Sequence, residues 1–232
     1  MNTMFVCVPF RRCVGKFLLW GVMVWGAPAW AQTPATSMAT PDLQQVAQAA
    51  AQRLAQQHKL DATKMLLVIS PVRQKLLVLQ GNQVQQIYAV STSRTGLGQR
   101  QGSQRTPTGL HRIAQKIGAG APLGTLFRER QATTLRAPIL SDHTEYPEDA
   151  VTTRILWLEG LEEGHNRGGR VDSHARYIYI HGTPEEGWLG TPKSHGCVRM
   201  GNAAVAALFD NVTEGTLVLI LRPEEDAPRP TP

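Results

Sequence analysis

The segment from His181 to Met200, HGTPEEGWLGTPKSHGCVRM, gathers two imidazoles, a thiol and a guanidinium in one short stretch. A free cysteine ionises near pH 8.5, so at neutral pH about a few per cent is thiolate. An imidazole that takes the proton makes the sulfur a nucleophile for acyl transfer. Two histidines compete for that role beside Cys197. His195 lies two residues earlier, and in an extended chain this puts both side chains on one side without making their tips meet. His181 closes the strand-like run RYIYI, and a rigid strand can aim it at a loop carrying the thiol. Geometry favours His181 as the base, with His195 shaping the loop or assisting with substrate. It also predicts a sulfur within about 4 Å of a His181 ring nitrogen.

The neighbouring residues suit the same chemistry. Gly196 lets the backbone turn and approach a substrate closely. Backbone N–H groups around Gly196 and Cys197 offer an oxyanion hole. Arg199 brings a permanent cation with forked donors, fit for a substrate carboxylate or for a salt bridge. Ser194 and Trp188 complete the candidate substrate contacts, Trp188 either lining a groove or packing. A metal reading competes, because His181, His195 and Cys197 are each zinc ligands. The HExxH helix and the paired-cysteine spacings that make such a reading strong are missing, so no metal is expected. Gly96-Leu97-Gly98 and Gly118-Ala119-Gly120 start like dinucleotide fingerprints, but Gln101 and Leu123 stand where the third glycine belongs. No phosphate cradle is expected.

These groups must be positioned by the rest of the chain, whose start reads as an address label. Arg11, Arg12 and Lys16 precede an apolar run, residues 17–25, and Ala29-Trp30-Ala31 supplies the small residues of a cleavage site. The run is shorter than the roughly 20 residues a membrane span needs, so no retained span is expected over residues 1–31. The absence of a lipobox cysteine after that run, and of a wall-sorting tail, points to the periplasm of a bacterial envelope. Removing three of the 24 basic residues leaves 21 against 18 acidic ones, a net charge of +3 rather than +6. That balance argues against nucleic acid as a partner, which would need clustered basic residues. Cys7 and Cys13 would leave with the signal, so Cys197 would be the sole cysteine of an exported protein, without a disulfide.

Residues 32–63 read as a polar tether followed by an Ala/Gln-rich helix. Its stripe of Leu43, Val46, Ala47, Ala50 and Leu54 would pack on the domain or form a spacer. From Lys64 to Leu221 short β-type runs dominate: 65–70, 75–80, 83–92, 109–115, 153–160, 176–182 and 216–221. One helix is expected at 202–210. Residues 116–152 read as a long irregular, lid-like insertion, and 222–232 as a disordered tail. The fold class expected is mainly β, a β-sandwich-like domain with a few short helices.

His181-Gly182, followed by SHGCVRM at 194–200, resembles the signature of the L,D-transpeptidase catalytic domain, the YkuD-like family. Thr106-Pro107-Thr108-Gly109 is similar to that family's TPTG turn, and the likeness runs from about Lys64 to Leu221. The resemblance implies Cys197 as nucleophile, His181 as general base and the Gly182 backbone carbonyl as the group that orients the base. It implies peptidoglycan stem peptides as substrates: a thioester forms at the third residue, D-alanine leaves, and an amine of a second stem makes the cross-link. Water in place of that amine would give a carboxypeptidase or endopeptidase, and a domain that keeps only the fold would be a wall-binding module. Carbapenem β-lactams are the implied covalent inhibitors, and no cofactor is implied.

Overall fold

The computed structural model describes residues 42–58 and 64–226. The expected signal sequence, the tether before residue 42 and the last six residues lie outside the described residues. The first described element is helix α1 (Leu43–His58). The strands follow as β1 (Met65–Ser70), β2 (Lys75–Gln80), β3 (Gln83–Ser91), β4 (Gly109–Ile117), β5 (Thr125–Arg128), β6 (Gln131–Arg136), β7 (Val151–Gly160), β8 (Tyr179–Gly182), β9 (Val198–Met200) and β10 (Leu217–Ile220). Helix α2 (Asn202–Asn211) sits between the last two strands, and a short helix α3 (Pro223–Asp226) follows β10.

The strands pair in the order β4-β10-β1-β2-β3-β9-β8-β7, and β7 also pairs with β4, so the sheet closes on itself. Strands β5 and β6 extend outward from β7. Closure leaves an inside and an outside, and the alternation of side chains along each strand sorts residues between them. Leu67 and Ile69 of β1, Leu76 and Val78 of β2, Leu156 and Leu158 of β7, and Val218 and Ile220 of β10 face inward. Val205, Leu208 and Phe209 of α2 join that interior cluster.

The alternate residues make two outer clusters. Leu66, Val68, Leu77, Leu79 and Leu219 meet Val46, Ala47, Ala50 and Leu54, so the apolar stripe of α1 is packed on the sheet. Burying it is what makes this Ala/Gln-rich helix stable, since its propensity alone supplies little. On the far side, Ile155, Tyr179 and Phe127 form a smaller cluster against which Trp157 and Cys197 pack.

The region 116–152 is more regular than its sequence suggests. Strands β5 and β6 form a hairpin within it, and β7 begins at Val151. The turn is Glu129-Arg130, both with positive φ (48° and 68°), where Asn-Gly is the usual signal. Strand β6 is also exposed along nearly its whole length, so it carries no apolar alternation to read.

The expected C-terminal tail likewise starts too early at residue 222. Asp226 is fully buried. Its carboxylate accepts from the Ser70 hydroxyl at 2.6 Å and from the Val72 N–H at 2.8 Å, and pairs with Arg73 at 2.9 Å. An acidic run reads as a tail because its partners lie far away in sequence.

Asp226→Ala would strand two donors, the Ser70 hydroxyl and the Val72 N–H, and is expected to cost about 2–4 kcal/mol in urea unfolding. A loss below about 0.5 kcal/mol would show that α3 is dispensable. His111 of β4 is fully buried between the Gly109 carbonyl and the Ser173 hydroxyl, each 3.0 Å away. Burial pushes its pKa down to about 4. Its contribution to stability is therefore intact above the unfolded value of about 6.5 and is lost as pH falls from there toward 4. His111→Asn should flatten the fall in unfolding free energy between pH 7 and pH 5 by about 2 kcal/mol. An unchanged slope would place the acid sensitivity elsewhere.

Candidate active site

Strands β8 and β9 run parallel, with Ile180 opposite Val198, His181 opposite Arg199 and Gly182 opposite Met200. Ile180, Val198 and Met200 point into the core. Alternation then puts Tyr179, His181 and Arg199 on the outer face, and Cys197, one residue before β9, continues that face. The thiol and the imidazole are thus diagonal neighbours on one surface.

Local irregularity in β7 aims the histidine. Thr152 pairs with Gly182 but Ile155 pairs with His181, so β7 carries a bulge opposite this single step of β8. Within the bulge Thr153 has φ 65°, uncommon for a β-branched residue. Its hydroxyl donates to Asn202 Oδ1 at 2.5 Å and accepts from the Gly124 N–H at 2.8 Å. Asn202, fully buried at the start of α2, also accepts from the Thr152 hydroxyl and donates to the Thr183 carbonyl. A Cβ on Gly182 would lie 2.8 Å from Asn202 Oδ1 and from two Thr152 oxygens, so only glycine fits there.

His181 is buried, and its Nδ1 lies 2.7 Å from the Gly182 carbonyl oxygen. A carbonyl only accepts, so Nδ1 carries the proton and Nε2 keeps its lone pair. Burial holds the imidazole below its usual pKa, which keeps it neutral. Cys197 is half-buried and unpaired. Its pKa is pushed up to about 12, first by the protein packed around it and then by the Asp149 carboxylate.

Cys197 Sγ accepts from the Tyr179 N–H and donates to the Tyr177 carbonyl, both at 3.4 Å, and His181 is neither partner. Tyr177 has φ 58°, the left-handed region, and it is here that the expected strand 176–182 is interrupted. The resting site is a neutral thiol beside a neutral imidazole rather than an ion pair.

The turn before the thiol is fixed by hydrogen bonds that sequence spacing could not assign. Ser194 is fully buried. Its hydroxyl donates to the Cys197 carbonyl at 2.6 Å and accepts from the Gly196 N–H at 3.2 Å, so it shapes the turn instead of facing a substrate. Gly196 has φ 132°, and its carbonyl accepts from the Thr106 hydroxyl at 2.9 Å. The His195 N–H donates to Asp149 Oδ2 at 2.8 Å. With the amides of His195 and Gly196 engaged, the Cys197 N–H is the one donor of this turn without an acceptor among the described residues.

Arg199 does not present an open fork. It is 3% exposed, with Nε and Nη2 on Asp149 Oδ1 at 2.8 and 2.6 Å, and Nη1 on Glu185 Oε2 at 2.5 Å. Trp188 is stacked on His143 with ring centroids 4.4 Å apart, and the Lys193 ammonium lies over it at 4.5 Å. Among the described residues, no three His, Cys, Asp or Glu side chains converge as a metal site. Asp149, Tyr177, Thr153 and Asn202 were not read from the sequence. Only Asn202 had a local signal, as the first residue of the expected helix.

A thiol, a neutral imidazole with a fixed tautomer and one open amide, all on one strand face, can transfer an acyl group. Residues 64–220 match the L,D-transpeptidase catalytic domain family, YkuD, and the chain belongs to that family. Similar solved structures include an L,D-transpeptidase from Mycobacterium smegmatis, 17% identical with a TM-score of 0.41, covering 68% of this chain and 58% of its own. Residues 123–326 of the Xylanimonas cellulosilytica L,D-transpeptidase are 20% identical with a TM-score of 0.39, covering 73% and 68%. L,D-transpeptidase 3 from Mycobacterium tuberculosis, in complex with a faropenem-derived adduct, is 14% identical with a TM-score of 0.41, covering 68% and 60%. The chain thus spans less than two thirds of the mycobacterial proteins it matches. Comparison with curated proteins gave no match.

With a thiol pKa of about 12, about one Cys197 in 10⁵ is thiolate at pH 7. Alkylation by iodoacetamide should therefore rise about tenfold per pH unit from pH 6 to pH 10 without levelling. A plateau below pH 9 would mean a preformed thiolate.

Proposed function

We propose that the chain is an L,D-transpeptidase that joins peptidoglycan stem peptides through a thioester on Cys197. The observation that carries this reading is the fixed His181 tautomer, Nδ1 on the Gly182 carbonyl, on the strand face that bears the thiol. Family membership adds the reaction class.

In the proposed cycle the thiol turns from the Tyr177 carbonyl toward His181 Nε2 as the donor carbonyl of the third stem residue arrives. Sulfur attacks that carbon while Nε2 takes the proton, and the Cys197 N–H receives the developing oxyanion. The tetrahedral intermediate collapses, the imidazolium gives its proton to the departing D-alanine amine, and a thioester remains. An amine of a second stem attacks the thioester, and His181 again takes and returns a proton. The high thiol pKa fits this general-base route, in which no thiolate accumulates before substrate binds. We assign the reaction to the bacterial envelope, where this substrate lies, with residues 1–31 as the export signal. Carbapenem β-lactams would acylate the same sulfur.

The test is mass spectrometry of the purified protein with a disaccharide-tetrapeptide, beside Cys197→Ala. A cross-linked dimer lacking one alanine, absent from the variant, is the expected result. Tripeptide and free D-alanine alone would make the protein a carboxypeptidase. Dimer formation by the variant would remove Cys197 from the mechanism.

A further inference from the structure

One carboxylate touches the catalytic turn at both ends. Asp149 Oδ2 accepts the His195 N–H at 2.8 Å and lies 3.3 Å from the ring Nδ1 of the same residue. Its Oδ1 accepts two bonds from Arg199, on the other side of Cys197. Asp149 is largely covered, and Arg199 is completed by Glu185, itself buried.

Asp149 arrives on a segment, residues 137–150, that lies across the loop between β8 and β9. The Leu140 N–H donates to the Pro184 carbonyl at 2.7 Å, and the Gly187 N–H donates to the Leu140 carbonyl at 2.9 Å. The Tyr146 N–H donates to Glu185 Oε1 at 3.0 Å, His143 stacks on Trp188, and Glu145 pairs with Lys193. Gly187 has no room for a Cβ against the Asp142 carbonyl, so the two segments lie backbone to backbone. The strap is anchored along its length, and its last contact is the one on the turn.

We propose that Asp149 is a positioning residue that clasps the Ser194–Arg199 turn from both sides and so holds the Cys197 amide as oxyanion donor. It rests on the reading of Cys197 as the acylated nucleophile. Asp149 touches no substrate; it acts through His195 and Arg199. Charge has a second consequence, because the carboxylate raises the pKa of both Cys197 and His181. Removing it makes the thiol more acidic while loosening the turn, so two reactions of the same sulfur separate. Acylation needs the oxyanion donor. Alkylation by iodoacetamide displaces iodide at a saturated carbon and needs only sulfur.

The experiment compares acylation by a carbapenem with alkylation by iodoacetamide in the purified full chain, in Asp149→Ala and in Asp149→Asn. Glu148→Ala, which loses only an exposed strap contact with Arg128, serves as control. For Asp149→Ala, acylation should fall about 100-fold, the scale of losing an oxyanion donor. Alkylation should hold or rise a few-fold. Asp149→Asn keeps one oxygen for half of the clasp and should fall about tenfold, and it keeps the test open if the alanine variant does not fold. Glu148→Ala should match the wild type in both. Equal acylation by wild type and both Asp149 variants would overturn the clasp, as would parallel loss of both reactions in a folded variant. A wild type that alkylates but is never acylated would overturn the proposed function, and the clasp with it.

Discussion

The site depends on a parallel ladder three residues long. Pairing Ile180 with Val198 fixes which side chains of β8 and β9 share a face, and a slip of one residue would turn either the thiol or the imidazole into the core. Such a ladder is short for so much consequence, and it is secured from elsewhere. Ile180, Val198 and Met200 are fully buried, so a slip would also bury Cys197, Arg199 or His181 among Leu67, Leu156 and Ile220. The cost of placing a guanidinium there without its carboxylates far exceeds that of any hydrogen bond in the ladder. The core therefore enforces the register, and the register makes the site.

Parallel strands cannot be joined by a tight turn; they need a crossover. Here the crossover is residues 183–197, and it carries Glu185, Glu186, Trp188, Lys193 and the turn that presents the thiol. Glu186 turns back to accept from the backbone and side chain of Asn202 at the start of α2. Glu185 turns instead to Arg199 and Tyr146. The crossover is thus tied to the helix plugging the barrel on one side and to the strap on the other. Rigidity at its end, where the amide of Cys197 is left free, follows from those ties.

How much of this could be read from residues alone divides along the range of the interactions. The thiol, the histidine that shares its strand face and the glycines beside them lie in one stretch whose spacing is informative. Strands 65–70 and 75–80 were legible as continuous apolar runs, because both of their faces are buried. Strand β9 was hidden inside the signature, since three residues show no period. The hairpin β5–β6 was missed because Glu129-Arg130 adopts a glycine-type turn and β6 is exposed. Asp149, Glu185 and Asp226 could not be found, because a carboxylate's importance lies in partners that are 14 to 156 residues away. Arg199 stayed open between substrate and salt bridge for the same reason. Its fork was recognised, but whether it faces solvent or two buried acids is a tertiary fact.

The electrostatics of the site explain why those acids belong there. Arg199 is buried next to a thiol and an imidazole, and alone it would favour thiolate and disfavour imidazolium. Asp149 opposes both effects and, with Glu185, cancels the field of the guanidinium. What remains is a neutral thiol and a neutral base in a half-closed site. A neutral pair stores no reactive thiolate, and an exposed thiolate is the form prone to oxidation. Burial does most to keep the thiol protonated, and the carboxylate bonded to both ends of the turn adds to it.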